Sequence, residues 1–445
     1  MSSIPRFECA DVDPSPLGQP LHFPFSGRTA PNRFLKGAMS ERLASFSLAN
    51  LDARGIPTPA LVQFYKCWGE GQVGLNVTGN VMIDPNHLET AGNLVIPHHA
   101  EFFGERFDGF QELALASKAN GSLIIAQVGH PGRQTSAELQ PHPISASDVQ
   151  VKDGTLGMSY GKPRAATKED IRNIIDGFAH AAEYLDKVGY DGIQLHAAYG
   201  YLLSQFLPLT TNLRTDQYGR NLTNWMRLIL EIRDEISRRV RKEFVVGIKI
   251  NSVEFQTDGF QPSEAKDLCE ALEQHAFNFV ELSGGTYENW PLDNHKRAST
   301  LEREAFFLQF AKHIVPGLTK TKTYVTGGLK TVEGMVKALD TVDGVGIARA
   351  LCQEPNLCAQ ILSGEIKGAI LQKLNMQDFG ATLGVAGLQI TQMGQGMQPI
   401  NLSLDDNVAK AFGALGQWLA AKGKNLKLYQ FPLLSGYDLP ASATV

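Results

Sequence analysis

The 445-residue chain has few cysteines and none of the groupings that cysteine chemistry needs. Cys9, Cys67, Cys269, Cys352 and Cys358 are widely separated, and no two of them form a Cys-x-x-Cys pair. Zinc ribbons, iron–sulfur clusters and dithiol redox centres depend on such close pairs. The sequence therefore predicts reduced thiols and no metal site.

Long apolar runs and blocks of one charge are also absent from the sequence. No stretch of about 18 uncharged apolar residues occurs. The N-terminal segment MSSIPRFECADVDPSP has neither the basic n-region nor the apolar run of a signal peptide. The 41 basic and 46 acidic residues give a net charge of −5, with no basic cluster to follow a phosphate backbone. We expect a cytoplasmic protein whose partner is neither nucleic acid nor membrane, while a homo-oligomer stays open.

Short apolar runs alternate with longer segments of helical period along most of the chain. Strands are predicted near 33–38, 75–81, 123–128, 192–195, 245–250, 279–282, 323–326 and 344–347. Helices are predicted at Pro59–Glu70, Phe103–Asn120, 168–188, Leu222–Arg238, Ser263–His275, Glu304–His313, Val332–Leu339 and Pro355–Leu362. Eight strands in alternation with helices predict an α/β protein with a (β/α)8 TIM barrel.

Two segments lie outside this eightfold pattern. The connection 129–166 after the third strand is long and contains several prolines and glycines, so we expect a capping insertion over the barrel mouth. We expect the barrel and its cap to occupy residues 1–365. Residues 366–445 are expected to form a C-terminal extension that packs on the barrel or on a neighbouring subunit.

The predicted strand ends carry polar groups, and barrels of this kind place catalytic residues there. Strand 7 ends in Thr326-Gly327-Gly328, and strand 8 is followed by Ala348-Arg349. Free backbone N–H groups of a glycine turn together with an arginine fork bind a phosphate dianion well. A Gly-Gly turn alone is more often only a tight turn, but with Arg349 one strand away it predicts a phosphorylated ligand.

The segment HAAYGYLLSQFLPLTTNLRTDQYGR, which begins at His196, resembles the strand-4 signature of the old yellow enzyme family. That signature reads H-x-x-[HN]-G-Y-L followed by N-x-R-T-D-x-Y-G-G. The resemblance continues in NRFLKGAMS, AQVGHPGRQ, PRAATKEDI and VTGGLKT, and it covers roughly residues 30–365. Tyr199 departs from the signature, because histidine or asparagine is usual there.

The resemblance implies bound FMN, with NADPH or NADH as a transient hydride donor. No G-x-G-x-x-G opens a helix after a strand, so a permanently bound dinucleotide is not expected. The implied cofactor-binding residues are Ala38, Met39, Ser40, Gly79, Gln127, Lys249, Gly327, Gly328, Ala348 and Arg349. Gln127 would hydrogen-bond the pyrimidine edge of the flavin, and Lys249 would place a cation near N1. Ser40 would offer a hydroxyl to the O4 side.

The resemblance also implies the catalytic residues of an ene-reductase. His196 and Tyr199 would hydrogen-bond the oxygen of an α,β-unsaturated carbonyl compound or a nitroalkene, which makes the β-carbon accept hydride from flavin N5. Tyr201 would protonate the α-carbon from the opposite face. The partner is thus a small-molecule enone or related alkene, reduced in a ping-pong cycle.

Three other functions fit parts of the pattern. A barrel with the same phosphate site but no flavin could be an aldolase or isomerase of a sugar phosphate, and an FMN-binding protein could have lost turnover. A dienoyl-CoA reductase would need an iron–sulfur cysteine cluster and a second nucleotide domain, and the sequence has neither.

Overall fold

Eight parallel strands form a closed barrel in the computed structural model. The structure describes residues 4–252, 254, 259–284, 288, 306–375, 378–423 and 425–437. The strands are β1 (Phe34–Lys36), β2 (Leu75–Met82), β3 (Leu123–Gly129), β4 (Gly192–Ala197), β5 (Val245–Asn251), β6 (Phe279–Ser283), β7 (Lys322–Thr326) and β8 (Gly344–Ile347). Each strand pairs with the next, and β1 pairs with both β8 and β2, which closes the sheet. The predicted (β/α)8 barrel is confirmed.

Eight helices follow the strands in alternation. They are α1 (Pro59–Glu70), α2 (Glu105–Ser117), α3 (Lys168–Lys187), α4 (Leu222–Arg239), α5 (Pro262–Gln274), α6 (Phe306–Ile314), α7 (Val332–Ala338) and α8 (Leu357–Leu362). The predicted bounds agree to within three residues, except that the expected start of α6 at Glu304 lies outside the described residues. Helix α3 begins at a capping box in which Thr167 and Asp170 bond each other's backbone N–H.

The alternation of side chains along each strand separates two apolar layers. One layer, between the sheet and the helices, includes Ile124, Ile193 and Val280. The other lies inside the lower barrel and contains Leu35, Leu75, Val77, Leu123, Ile125, Val245, Phe279 and Tyr324. A short hairpin, Leu21–His22 paired with Thr29–Ala30, contributes Phe23 to this inner layer. The lower half of the barrel is therefore filled with apolar side chains.

Toward the C-terminal ends of the strands, the side chains that point into the barrel change from apolar to polar. Two residues beyond Ile125 comes Gln127, two beyond Phe279 comes Glu281, and Lys249 follows Val245 at an even spacing. Their side chains are consequently inside the barrel, and each is at most 4 % exposed. This change places polar groups beneath the C-terminal ends of the strands, the end at which barrels of this kind carry their active sites.

Two further helices follow the barrel, α9 (Phe379–Gly394) and α10 (Asp405–Lys422). Helix α9 packs against α1 and against α10. Gly387 permits one of the close contacts, because a Cβ there would lie 2.1 Å from the ring of Phe431. Within the described part of the chain, no helix has the length and apolar character needed to cross a bilayer.

Candidate active site

A cavity of about 1390 Å³ lies at the C-terminal ends of the barrel strands. The predicted site residues that line it are Ala38, Met39, Ser40, Gln127, His196, Tyr199, Tyr201, Lys249, Gly327, Gly328, Ala348 and Arg349. Gly79 is not among the lining residues. Its N–H donates to Glu41 Oε1 at 2.8 Å, within the wall behind the cavity.

The phosphate end of the cavity is formed by the turn after β7 and by Arg349 after β8. Gly327 and Gly328 have φ angles of 145° and 82°, which only glycine adopts without strain. The Arg349 guanidinium donates to the hydroxyl of Thr382 in α9. The arginine fork is therefore held in place by the segment that follows the barrel.

Four side chains from β3 to β6 form a connected polar group inside the barrel. Gln127 Nε2 donates to Gln194 Oε1 at 2.7 Å, and Gln194 Nε2 donates to Glu281 Oε2 at 2.7 Å. Lys249 Nζ lies 2.9 Å from Glu281 Oε1, and both side chains are at most 4 % exposed. Burial alone would lower the pKa of Lys249, but Glu281 raises it above its usual value. We call these four residues the buried relay.

His196, at the top of β4, is a neutral imidazole. Burial, and then the charge of Lys249, lower the pKa of His196 well below its usual value. The N–H of Ala198 donates to His196 Nδ1 at 3.4 Å, so the ring proton resides on Nε2. His196 can therefore donate one hydrogen bond from Nε2.

Tyr201 stacks on His196. The ring centroids are 4.0 Å apart at an interplanar angle of 20°, and the Tyr201 side chain is 3 % exposed in total. Asn80 Nδ2 donates to the Tyr201 hydroxyl oxygen at 3.3 Å. In this bond the phenol oxygen is the acceptor, so the bond occupies one of its lone pairs.

Tyr199 lies beside the same histidine in a different orientation. Its ring is 6.1 Å from that of His196 and nearly perpendicular to it. Its backbone is left-handed, with φ of 54°, and its N–H donates to Asn251 Oδ1 at 3.3 Å. Lys249 Nζ lies 5.2 Å from the centroid of the Tyr199 ring, and Tyr199 contributes, after Glu281, to the raised pKa of the lysine.

Ser40 has a partner that the sequence analysis did not anticipate. Its hydroxyl donates to Glu89 Oε2 at 2.7 Å, and Asn93 Nδ2 donates to the same oxygen at 3.1 Å. Asn80, Ser40 and Glu89 all line the cavity. Because Ser40 has one proton, this bond uses it, and the hydroxyl oxygen accepts from Asn80 Nδ2 at 3.4 Å.

The comparisons with known proteins agree with this geometry. Residues 17–367 match the profile of the NADH:flavin oxidoreductase / NADH oxidase family. The chain belongs to this family. It is 55 % identical over 434 residues to the NADH-dependent flavin oxidoreductase nadA of Aspergillus parasiticus, which covers 97 % of this chain and 98 % of the relative. The NADH-dependent flavin oxidoreductase iliE of Hypocrea jecorina is 30 % identical over 353 residues, 74 % of this chain and 85 % of the relative.

Solved structures share the fold of this flavin oxidoreductase. Morphinone reductase in complex with tetrahydroNAD superposes with a TM-score of 0.64 at 21 % identity, covering 79 % of this chain and 92 % of that one. 2-Naphthoyl-CoA reductase gives a TM-score of 0.71 at 18 % identity, covering 90 % of this chain and 58 % of that one. The family match and the 55 % identical relative, together with this shared fold, make the protein an old yellow enzyme-like oxidoreductase with FMN as cofactor and NADH or NADPH as donor. The flavin-free aldolase and the silent FMN protein are set aside.

The residues of this flavin oxidoreductase fit FMN. Both glycines with positive φ and Arg349 stand at one end of the cavity, as a phosphate requires. At the other side, Gln127 offers amide groups and Lys249 a cation to a pyrimidine edge. Gly346 lies on the cavity wall, and a Cβ at this position would be 1.8 Å from Thr326 Oγ1. The residue must therefore be glycine, and it contributes only backbone atoms to the wall.

Several residues of the site were missed by sequence reasoning. Gln194 and Glu281 had a signal, since polar and charged residues within the apolar strands GIQLH and FVELS must find partners when buried. Glu89 lies in a loop without any pattern. The apolar residues Leu383, Phe412 and Leu419 line the cavity from α9 and α10 while 39 %, 41 % and 61 % exposed, and no periodicity indicates that they face it.

Proposed function

We propose that this protein reduces the activated C=C bond of α,β-unsaturated carbonyl compounds, and of nitroalkenes, with hydride from NADH delivered through FMN. The observation that carries the proposal is the pairing of a neutral His196 with a stacked Tyr201 in the cavity that also holds Gln127, Lys249 and Arg349. We infer NADH as the donor because the relatives are named NADH-dependent.

His196 binds the oxygen of the substrate in this proposal. Its Nε2–H donates to the carbonyl or nitro oxygen and strengthens that bond as negative charge develops there during reduction. A neutral imidazole suits this role, since the lowered pKa of His196 avoids a second cation beside Lys249. Tyr199 acts mainly through the nearby Lys249, whose pKa it helps to raise.

Tyr201 supplies the proton. FMN, when bound, provides the hydride at the β-carbon. A phenol with the ordinary tyrosine pKa near 10 carries its proton at neutral pH, which suits a general acid. Asn80 donates to the Tyr201 oxygen and so orients it. Because Tyr201 is almost fully buried, the proton passes to the α-carbon of the substrate rather than being exchanged freely with water.

Anaerobic spectroscopy of the Tyr201→Phe variant tests this proposal. NADH should bleach the flavin absorption band of the variant at nearly the native rate. Return of the band on adding an enone should slow by about 100-fold or more, the contribution expected of a general acid.

Tyr218→Phe is the matched control, because Tyr218 is buried and bonded to Glu231 but does not line the cavity. It should reoxidise at the native rate. Equal loss of both half-reactions in Tyr201→Phe, with Tyr218→Phe unaffected, would remove Tyr201 as the proton donor. A native protein whose reduced flavin is not reoxidised by any enone would remove the function itself.

A further inference from the structure

In the buried relay, the carboxylate of Glu281 fixes which group donates and which group accepts in each hydrogen bond. A carboxylate only accepts hydrogen bonds, so Glu281 forces Gln194 to present its NH2 group to it. Gln194 must then present its oxygen to Gln127, and Gln127 must use its NH2 group toward Gln194. Gln127 thereby keeps its carbonyl oxygen as an acceptor for the cavity that it lines.

Strand register explains why these four side chains meet. Gln127 is the register partner of Gln194 across β3 and β4, and Lys249 is the register partner of Glu281 across β5 and β6. All four point inward, so one further hydrogen bond, from Gln194 to Glu281, connects the two pairs. The relay is rigid because its members are at most 4 % exposed.

The relay also governs the charge below the cavity. An isolated ammonium buried as Lys249 is would tend to lose its proton. Glu281 keeps it protonated and at the same time cancels much of its field. A flavin beside Lys249 therefore experiences an ion pair rather than a lone cation.

We propose that Glu281 and Gln194 are positioning residues for FMN: through Gln127 they present an acceptor to flavin N3–H, and through Lys249 they set how readily the flavin accepts electrons. This inference rests on the placement of FMN proposed above. Neither residue touches the flavin in this assignment, so each acts through its partner.

The Glu281→Gln holoenzyme tests the electrostatic half. Removing the carboxylate leaves Lys249 uncompensated, which stabilises negative charge on the flavin. At about pH 6, low enough for Lys249 to keep its proton without the carboxylate, the variant should bind sulfite to its FMN about 10-fold more tightly than native enzyme, and its midpoint potential should rise. As the pH increases and the uncompensated ammonium loses its proton, this gain in sulfite affinity should disappear. An unchanged or weaker sulfite affinity would overturn this half. Neither measurement requires turnover.

The Gln194→Leu variant tests whether the relay orients Gln127. It retains the ion pair between Lys249 and Glu281, so it remains available as a test if the Glu281→Gln variant does not bind FMN. Sulfite affinity relative to native should change less than about 2-fold, because the charges remain. The dissociation constant of FMN should rise about 10-fold and its visible band should shift, because Gln127 loses its fixed orientation. Native FMN affinity and spectrum in this variant would refute the relay.

Asp343→Asn is the matched control. Asp343 pairs with Lys322 at 3.4 Å near the start of β7, at the opposite end of the barrel. The Asp343→Asn variant should leave sulfite affinity and midpoint potential unchanged.

The Gln127→Leu and Lys249→Met variants distinguish an error in the placement of FMN from an error in the relay. If these two variants leave the flavin spectrum and potential unchanged, the placement of FMN is wrong. If they alter both while the Glu281 and Gln194 variants do not, only the relay is wrong.

Discussion

The ammonium of Lys36 is buried in the barrel wall behind the active site. Its side chain is fully buried, and Nζ lies 4.1 Å from the ring centroid of Trp68 and 5.2 Å from that of Tyr65. Burial lowers the pKa of Lys36 to about 7, and the nearby Glu41 offsets this only in part. Lys36 thus lies next to the end of β1, which Ala38 and Ser40 follow. Burial of its ammonium group lowers the stability of the folded protein near neutral pH.

We expect Lys36→Met to flatten the pH dependence of stability above neutral pH. Between pH 7 and the usual lysine pKa of 10.5, the unfolded chain binds a proton at this residue that the folded protein has released. The free energy of unfolding of the native protein should therefore rise with pH, by up to about 1.4 kcal/mol per pH unit from this group. Urea unfolding at a series of pH values measures the slope.

Lys66→Met is the control for that slope. Lys66 is 54 % exposed, so its replacement should leave the native pH dependence in place. A Lys36→Met slope equal to the native slope would mean that Lys36 has an ordinary pKa in the folded protein.

At the scale of elements, Glu273 at the end of α5 joins this helix to the start of β7. Its carboxylate accepts from the backbone N–H groups of Thr319, Lys320 and Thr321 and from the Thr319 hydroxyl. Partial burial would raise the pKa of Glu273, but these donors outweigh it and lower the pKa to about 2. The connection between α6 and β7 is therefore anchored by one charged side chain.

Glu273→Gln should destabilise the protein at pH 7 by about 1–2 kcal/mol, because an amide cannot accept all four bonds. The folded pKa is depressed, so the contribution of Glu273 is present above the usual pKa of 4.5 and is lost as pH falls toward 2. Urea unfolding at pH 7 and at low pH should show the difference between variant and native protein shrinking on acidification.

Glu270→Gln, one turn earlier on the same helix, provides the comparison. Within the described residues, Glu270 forms an exposed pair with Lys266 at 3.7 Å, and the loss of this pair should cost less than about 0.5 kcal/mol at either pH. A difference for Glu273→Gln that is constant with pH would contradict the depressed pKa.

On the scale of the whole molecule, the segment after the barrel completes the cavity. The bond between Arg349 and Thr382 ties α9 to the phosphate end, and Leu383, Phe412 and Leu419 add an apolar wall. Exposed apolar side chains gathered around one cavity mark a surface that binds apolar groups. The division into residues 1–365 and 366–445, and the role of 129–166 as a cap, stay predictions.

Leu419→Ser should raise the KM for a large fused-ring enone about 10-fold, and that for a single-ring enone less than about 2-fold. The larger substrate reaches the apolar wall and loses the burial of a leucine side chain, whereas the smaller one does not. Steady-state kinetics with both substrates checks this. Leu433→Ser is the control, because Leu433 is 52 % exposed and does not line the cavity. Equal changes for both substrates would contradict a wall specific to large substrates.

The local pattern of residues was sufficient to predict the barrel and the protein family. Strand and helix periods are properties of neighbouring residues, so eight alternations could be counted before any contact was known. The segment from His196 to Tyr201 is contiguous, and its motif indicated the flavin family that the comparisons confirm. These features are determined by residues that are close together in the sequence, so the sequence alone is enough to predict them.

Tertiary structure decided which distant side chains complete the site. Glu281 meets Lys249 and Gln194 only because β4, β5 and β6 are adjacent and in register, and register depends on how the whole barrel closes. Gly79 faces Glu41 rather than the cavity because the ladder between β2 and β3 shifts register between Val77 and Asn80. The apolar wall likewise depends on where α9 and α10 dock, because side-chain exposure is set by packing between segments and not by the period within one helix.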